Sequence, residues 1–155
     1  MKKLILSFVF VALPLAAAAD CTSDYKAIFN RLNPAASTMV QKGRGTHFKL
    51  DLGMSDSEYL GTGVYGRLLA GRYVLVNTDL SCRTSQDFKH ALIAHEIGHW
   101  LARLLDPDIV GNELYDVWDY PTKESYADKR GQKVLDASGV KVDLHKVLRE
   151  TSLPR

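Results

Sequence analysis

A chain of 155 residues with 20 Lys and Arg against 18 Asp and Glu is nearly electroneutral, and its surplus of two is Lys2 and Lys3. From residue 20 onward 18 basic groups face 18 acidic ones, which excludes nucleic acid or an anionic membrane surface as a charge-driven partner. Residues 20–155 suit one compact domain around one core.

Met1–Ala19 reads as a secretory signal peptide. Lys2 and Lys3 precede an apolar run from Leu4 to Leu15 broken only by Ser7 and Pro14, and the alanines ending at Ala19 supply the small residues of a cleavage site. The mature chain then starts at Asp20, exported to the periplasm or secreted. A retained membrane helix fits less well, because the run is short for a bilayer and contains Pro14. Asp20 also argues against a lipid anchor on Cys21, so no stable membrane anchor survives cleavage. Cys21 and Cys82 are the only cysteines, and in an oxidising compartment they are expected to form one disulfide. Cys82 as a metal ligand is the weaker alternative, for want of a second cysteine at ligand spacing.

In chain order, Asp24–Leu32 predicts a first helix with Tyr25, Ile28, Phe29 and Leu32 on one face, ended by Asn33-Pro34. Strands are predicted over Thr46–Leu52, Gly61–Ala70 and Arg72–Thr78, with Gly71 as the hairpin turn between the last two. Thr84 or Ser85 can cap a helix running to Leu105, where Asp106-Pro107 stops it. Asp87 can complete a capping box from Thr84. This helix is apolar nearly all round, which makes it central to the fold. Residues 106–121 read as an irregular connection across the mouth of a site. A helix over Lys123–Ala137, capped by Thr122 and ended near Gly139, and a short last helix over Asp143–Arg149 complete the chain.

The chemistry is carried by His95-Glu96-Ile97-Gly98-His99. Residues four apart lie on one face of a helix, so His95 and His99 can offer their imidazoles to one metal ion, with Glu96 placed to take a proton from water there. Two imidazoles leave zinc short of a protein ligand. Gly and His three and six residues after His99 would extend the motif in the metzincin manner, but those positions are Ala102 and Leu105. Glu113, Asp116, Asp119, Glu124, Asp128 and His145 remain. Glu124 stands out, because in Glu124-Ser125-Tyr126-Ala127-Asp128 it shares a helical face with Asp128, and small Ala127 permits close approach to the active helix. Asp116 or Asp119 on the connecting loop is the alternative. Asp128 would accept a hydrogen bond from a ligand histidine, with His95 the expected donor, and fix its tautomer.

His95-Glu96-Ile97-Gly98-His99 followed by Glu124-x-x-Ala127-Asp128 resembles the gluzincin branch of zinc metallopeptidases. The resemblance covers residues 95–128 and implies an α+β, minimal zincin-like domain: a backing helix, a small antiparallel sheet, the active-site helix and a glutamate helix. It implies a zinc-dependent peptidase acting on peptide or protein substrates, with Zn2+ held by His95, His99 and Glu124 and Glu96 as general base. Tyr126, Tyr120, Tyr115 and His145 are chemically able to stabilise the transition state. Arg72–Thr78 would line an extended substrate by strand addition, while His47 and His90 read as structural or surface residues. An exported zinc hydrolase of cell-wall peptide or amide bonds, and a non-catalytic zinc-stabilised binding module, are the competing readings.

Overall fold

The computed structural model describes residues 16–110 and 120–151. Most of the expected leader lies outside them, as do Glu113, Tyr115, Asp116 and Asp119. No helix of the described residues is long and apolar enough to cross a membrane.

The chain opens with α1 (Ala16–Arg44), which runs straight through Pro34 rather than ending there. Proline in a helix interior loses one hydrogen bond and costs about 3 kcal/mol. Against that cost stands an apolar face that continues beyond the proline: Tyr25, Leu32, Ala36 and Val40 are all fully buried, with Ile28 and Phe29 nearly so. Burying a Val or Met side chain contributes roughly 1.5–3 kcal/mol, so Val40 and the partly buried Met39, with Ala36 closing the face, offset the local penalty.

Next come β1 (Asp51–Ser55), the single turn α2 (Ser57–Leu60), β2 (Gly66–Leu69), β3 (Tyr73–Asn77) and the turn α3 (Thr78–Ser81). The β2–β3 hairpin forms as expected. Ala70 and Gly71 both take positive φ, 50° and 65°, and the Arg72 amide closes the turn on the Leu69 carbonyl at 3.2 Å, the type I′ pattern whose twist matches paired strands. The sheet is mixed, however, in the order β1-β3-β2, with β1 parallel to β3 and β2 antiparallel to it. The expectation of a purely antiparallel sheet is thereby corrected. Side-chain alternation reports which face of a strand is buried and says nothing about the direction of its neighbour, and the segment containing α2 carries the chain across before β2 begins.

The core helix α4 (Gln86–Leu105) starts at Ser85, whose hydroxyl accepts the Phe88 amide at 3.2 Å. Thr84 is not the cap; it donates to the Ser81 carbonyl. Phe88, Leu92, Ile93, Ile97, Trp100 and Leu101 of α4 are buried, and the helix packs against α1, the sheet, α6 and α7. After the turn α5 (Pro107–Val110), α6 (Tyr120–Ala137) begins three residues before the expected Lys123 and takes Thr122 into the helix. Pro121 suits that first turn, where its missing N–H has no partner to lose. Gly139, at φ 66°, lets the chain leave α6 with the Val140 amide on the Leu135 carbonyl. Asp143 then caps α7 (Leu144–Thr151), accepting the Lys146 amide at 2.9 Å.

Cys21 and Cys82 are joined in a disulfide across 61 residues, tying α1 to the segment that leads into α4. Nearby, the Tyr25 hydroxyl donates to the Ser81 carbonyl and the buried Lys89 ammonium pairs with Asp24 at 2.9 Å. Closing a loop of that length stabilises the folded state by about 4 kcal/mol in the chain-entropy model. Replacing both cysteines with serine is therefore expected to lower the unfolding free energy by about that amount, measured by urea denaturation as a lower midpoint with a steeper slope, since the unfolded chain without the crosslink exposes more surface. A loss below about 1 kcal/mol would show that the non-covalent contacts already hold this corner.

Candidate metal centre

The α4 histidines and the first turns of α6 meet because their backbones touch. At Gly98 a Cβ would lie 2.0 Å from the Ala127 carbonyl oxygen, and at Gly131 it would lie 2.6 Å from that of Ala94. Ala94 and Gly98 on α4 thus face Ala127 and Gly131 on α6. Two small-residue pairs at i, i+4 let the helix axes approach closely. Ala127 was legible in this role; Gly98 and Gly131 carried the same signal, a small residue four from another, and sequence reasoning passed over it.

Across that contact His95, His99 and Glu124 converge, each offering one ligand atom within 4.8 Å of the others. The two Nε2 atoms stand 3.1 Å apart, and the Glu124 carboxylate lies 3.1 Å from His95 Nε2 and 3.4 Å from His99 Nε2. The rings meet edge to face at 4.6 Å between centroids. Four ligands at about 2.0–2.1 Å around a tetrahedral zinc sit roughly 3.3 Å from one another, so the spacing fits that ion. The nitrogen not facing the cluster, His95 Nδ1, donates to Asp128 at 2.8 Å. That bond leaves Nε2 with its lone pair aimed inward, the tautomer a ligand needs.

The electrostatics point the same way. Burial works against a charged imidazole, yet the carboxylates of Asp128 and Glu124, with Glu96 close by, push His95 up to about 10. Burial likewise raises Glu124, but the two imidazoles hold its carboxyl well below the usual range. The cluster is built around positive charge at its centre, which a proton or a cation can supply.

Glu96 lies on the same turn, 6% exposed, on the side facing β2. Burial raises its pKa; His95, His99 and the Leu68 amide, which donates to the carboxylate, lower it, while Glu124 raises it further. Gly66 is also beside it, since a Cβ there would come within 3.4 Å of Glu96 Oε1. β2 is therefore the strand along the site and an outer strand of the sheet, whereas β3 is central. The expectation that Arg72–Thr78 lines a substrate is corrected on that ground, because both sides of β3 are already paired.

The other candidates are distributed as follows. His145 reaches the cluster through Asp128, its Nδ1 3.2 Å from Oδ2. Tyr126 is two residues from both Glu124 and Asp128, so it leaves α6 on another side, and the Lys129 ammonium sits 5.0 Å from its ring centroid. It is not brought to the cluster. Tyr120 lies in α6, but its side chain is outside the described residues, as are Tyr115, Asp116 and Asp119. His90 donates from Nδ1 to the Gln86 carbonyl, away from the metal ligands, and His47 is exposed. Beside His95, between α6 and α7, opens a groove of about 1020 Å³ lined by residues such as Ser125, Gln132, Val142 and Leu148.

Among protein families, the model of peptidase family M48 matches residues 24–105, from the buried face of α1 to the end of α4. The match ends before Glu124 and Asp128. No curated protein and no solved structure matches the chain.

Proposed function

The chain belongs to peptidase family M48 and is a zinc metallopeptidase, and from that premise we propose that His95, His99 and Glu124 hold the zinc ion while Glu96 is the general base of peptide hydrolysis. The single observation that carries the ligand set is the convergence of Nε2, Nε2 and a carboxylate at 3.1–3.4 Å. Bound there, zinc supplies a Lewis acid that makes water acidic near neutral pH.

The remaining steps belong to the chain's own groups. Glu96 takes the proton of the attacking water on its carboxylate, then delivers it to the leaving nitrogen as the carbon–nitrogen bond breaks. Its burial supports this role, since a base whose pKa is lifted above the ordinary carboxylate value is a better proton acceptor. The Leu68 amide holds the carboxylate in place between the two transfers. Asp128 keeps His95 in its ligand tautomer. His145 is the transition-state donor in this reading, supported by its position on Asp128 at the edge of the groove; of the four candidates, its side chain alone is both described and joined to the cluster.

The substrate is a peptide or protein segment laid extended along β2. Two observations support this: among the described residues β2 pairs only with β3, and one of its amides already points at Glu96. Export to the periplasm or secretion, after removal of Met1–Ala19, belongs to the same proposal and is supported by the Cys21–Cys82 disulfide.

Metal analysis tests the ligand set. Glu124→Ala is expected to retain less than about one-tenth of the zinc that the wild type keeps through dialysis, because removing one of three protein ligands leaves two imidazoles. Full zinc occupancy in that variant, with activity intact, would move the third ligand elsewhere.

A further inference from the structure

The outer strand beside the metal centre carries a cation that the fold itself leaves unused. Along β2 the side chains alternate: Gly66 and Leu68 turn inward against Leu92 and the core, while Arg67 and Leu69 are exposed on the opposite face. The Arg67 side chain makes no hydrogen bond or ion pair with any described residue. Its neighbours across the ladder do not neutralise it either, since Leu75 faces Arg67 and Tyr73 faces Leu69.

Arg67 sits between the two residues of β2 that meet Glu96. A Cβ on Gly66 would lie 3.4 Å from Glu96 Oε1, and the Leu68 amide donates to the same carboxylate. Ladder geometry then fixes which way the strand's polar groups face. Pairs in an antiparallel ladder alternate between bonded and non-bonded, and the Asn77 amide bonds the Tyr65 carbonyl at 2.8 Å, so Tyr65, Arg67 and Leu69 direct their backbone groups at β3. Those of Gly66 and Leu68 point to the open side, where Glu96 stands.

A substrate strand bonded to Gly66 therefore sets its next residue straight across from Arg67, in the closely spaced pair with Cα atoms about 4.5 Å apart. Residues opposite one another share a face of the sheet. The side chain of that residue stands beside the guanidinium and away from α4. With a rise of about 3.3 Å per residue, and Glu96 touching both neighbours of Arg67, it lies within about two residues of the bond under attack. A charged residue on an edge strand ordinarily discourages chance pairing. Beside a reacting centre the same charge discriminates, repelling Lys or Arg opposite it and holding Asp or Glu.

Resting on the peptidase reading and on strand addition along β2, we propose that Arg67 is a specificity-determining residue that selects substrates with Asp or Glu within about two residues of the scissile bond.

Cleavage and binding test this separately. In a randomised peptide library read by mass spectrometry, wild type is expected to enrich Asp and Glu at one position within about two residues of the cut. A peptide with Glu there should be cut about tenfold faster, as kcat/KM at low salt, than its Lys counterpart, the sum of an attraction gained and a repulsion avoided. Arg67→Gln should flatten that ratio and Arg67→Glu should invert it. The ratio is internal to each preparation, so a partly unfolded fraction lowers both rates alike and leaves it unmoved. For binding, zinc-loaded Glu96→Gln and Glu96→Gln/Arg67→Glu are titrated with fluorescein-labelled peptides of alternating Glu and Thr or alternating Lys and Thr. The first protein should favour the Glu peptide and the second the Lys peptide. Cleavage without charge preference near the bond, or a preference unchanged by Arg67→Glu, would overturn the role of Arg67. A binding preference that follows Arg67, with no peptide cut by wild type, would leave Arg67 standing and count against the peptidase reading instead. Equal binding of the two labelled peptides, or none, with the library uncut would overturn both.

Discussion

Glu96→Gln is expected to lower kcat by about 10²–10⁴-fold while zinc content stays at the wild-type level. Glutamine preserves the shape of the side chain and can still accept the Leu68 amide through its carbonyl oxygen, so the geometry at the end of β2 survives. It cannot accept a proton from water. In barrier terms the loss is about 3–5.5 kcal/mol. A second readout separates this from a folding defect. Glu96 is a carboxylate only 6% exposed, with burial raising its pKa, and a neutral amide in that position avoids the cost of burying charge. Thermal stability of the variant should therefore equal or exceed that of the wild type, as expected where function is maintained against stability. Hydrolysis at wild-type rates by purified Glu96→Gln, with an inactive mock preparation as control, would remove Glu96 from the mechanism.

The second large effect is on the fold. Gly98→Ala adds one methyl group to the middle of a helix, where propensity alone would stabilise by about 1 kcal/mol. Packing opposes it. The new Cβ would stand 2.0 Å from the Ala127 oxygen, 2.8 Å from the Ala127 carbonyl carbon and 2.9 Å from the Gly131 nitrogen, all of them backbone atoms that no rotamer change can move. α4 and α6 must separate by more than an ångström, which loosens the contact that sets Glu124 and Asp128 against His95 and His99. We expect a loss of about 3 kcal/mol or more in unfolding free energy, at the upper end of overpacking costs, with weakened zinc retention. Urea denaturation of the metal-free and zinc-loaded forms measures both. A variant stabilised by about 1 kcal/mol, as propensity alone requires, would show that the two helices do not meet this closely.

Glu96 and Gly98 stand two residues apart in the motif, yet the role of the first follows from local spacing and that of the second from a contact with another helix. His95, Glu96 and His99 were legible because their relation is local: a helix repeats every 3.6 residues, its stop at Asp106-Pro107 was written in adjacent side chains, and its start was legible to within one residue, the structure choosing Ser85 over Thr84. Glu124 and Asp128 were legible as a pair on one face for the same reason, although their meeting with the histidines is a tertiary fact. The Ala70–Gly71 turn was local too. Pro34 misled because its cost is local, while the burial that overrides it comes from α4 and the core on the far side of α1.

Sequence by itself therefore made legible the metallopeptidase class, the candidate ligand face of α4, the start of that helix to within one residue and the pairing of the hairpin, since each depends on spacings of a few residues along one element. Tertiary structure decided the rest: the parallel placement of β1, the identity of β2 as the outer strand beside Glu96, and the backbone contact of Gly98 with Ala127. The reason is physical. Helical and turn geometry is set by torsions and hydrogen bonds between near neighbours, whereas the order of strands and the distance between helices follow from burying apolar surface contributed by the whole chain.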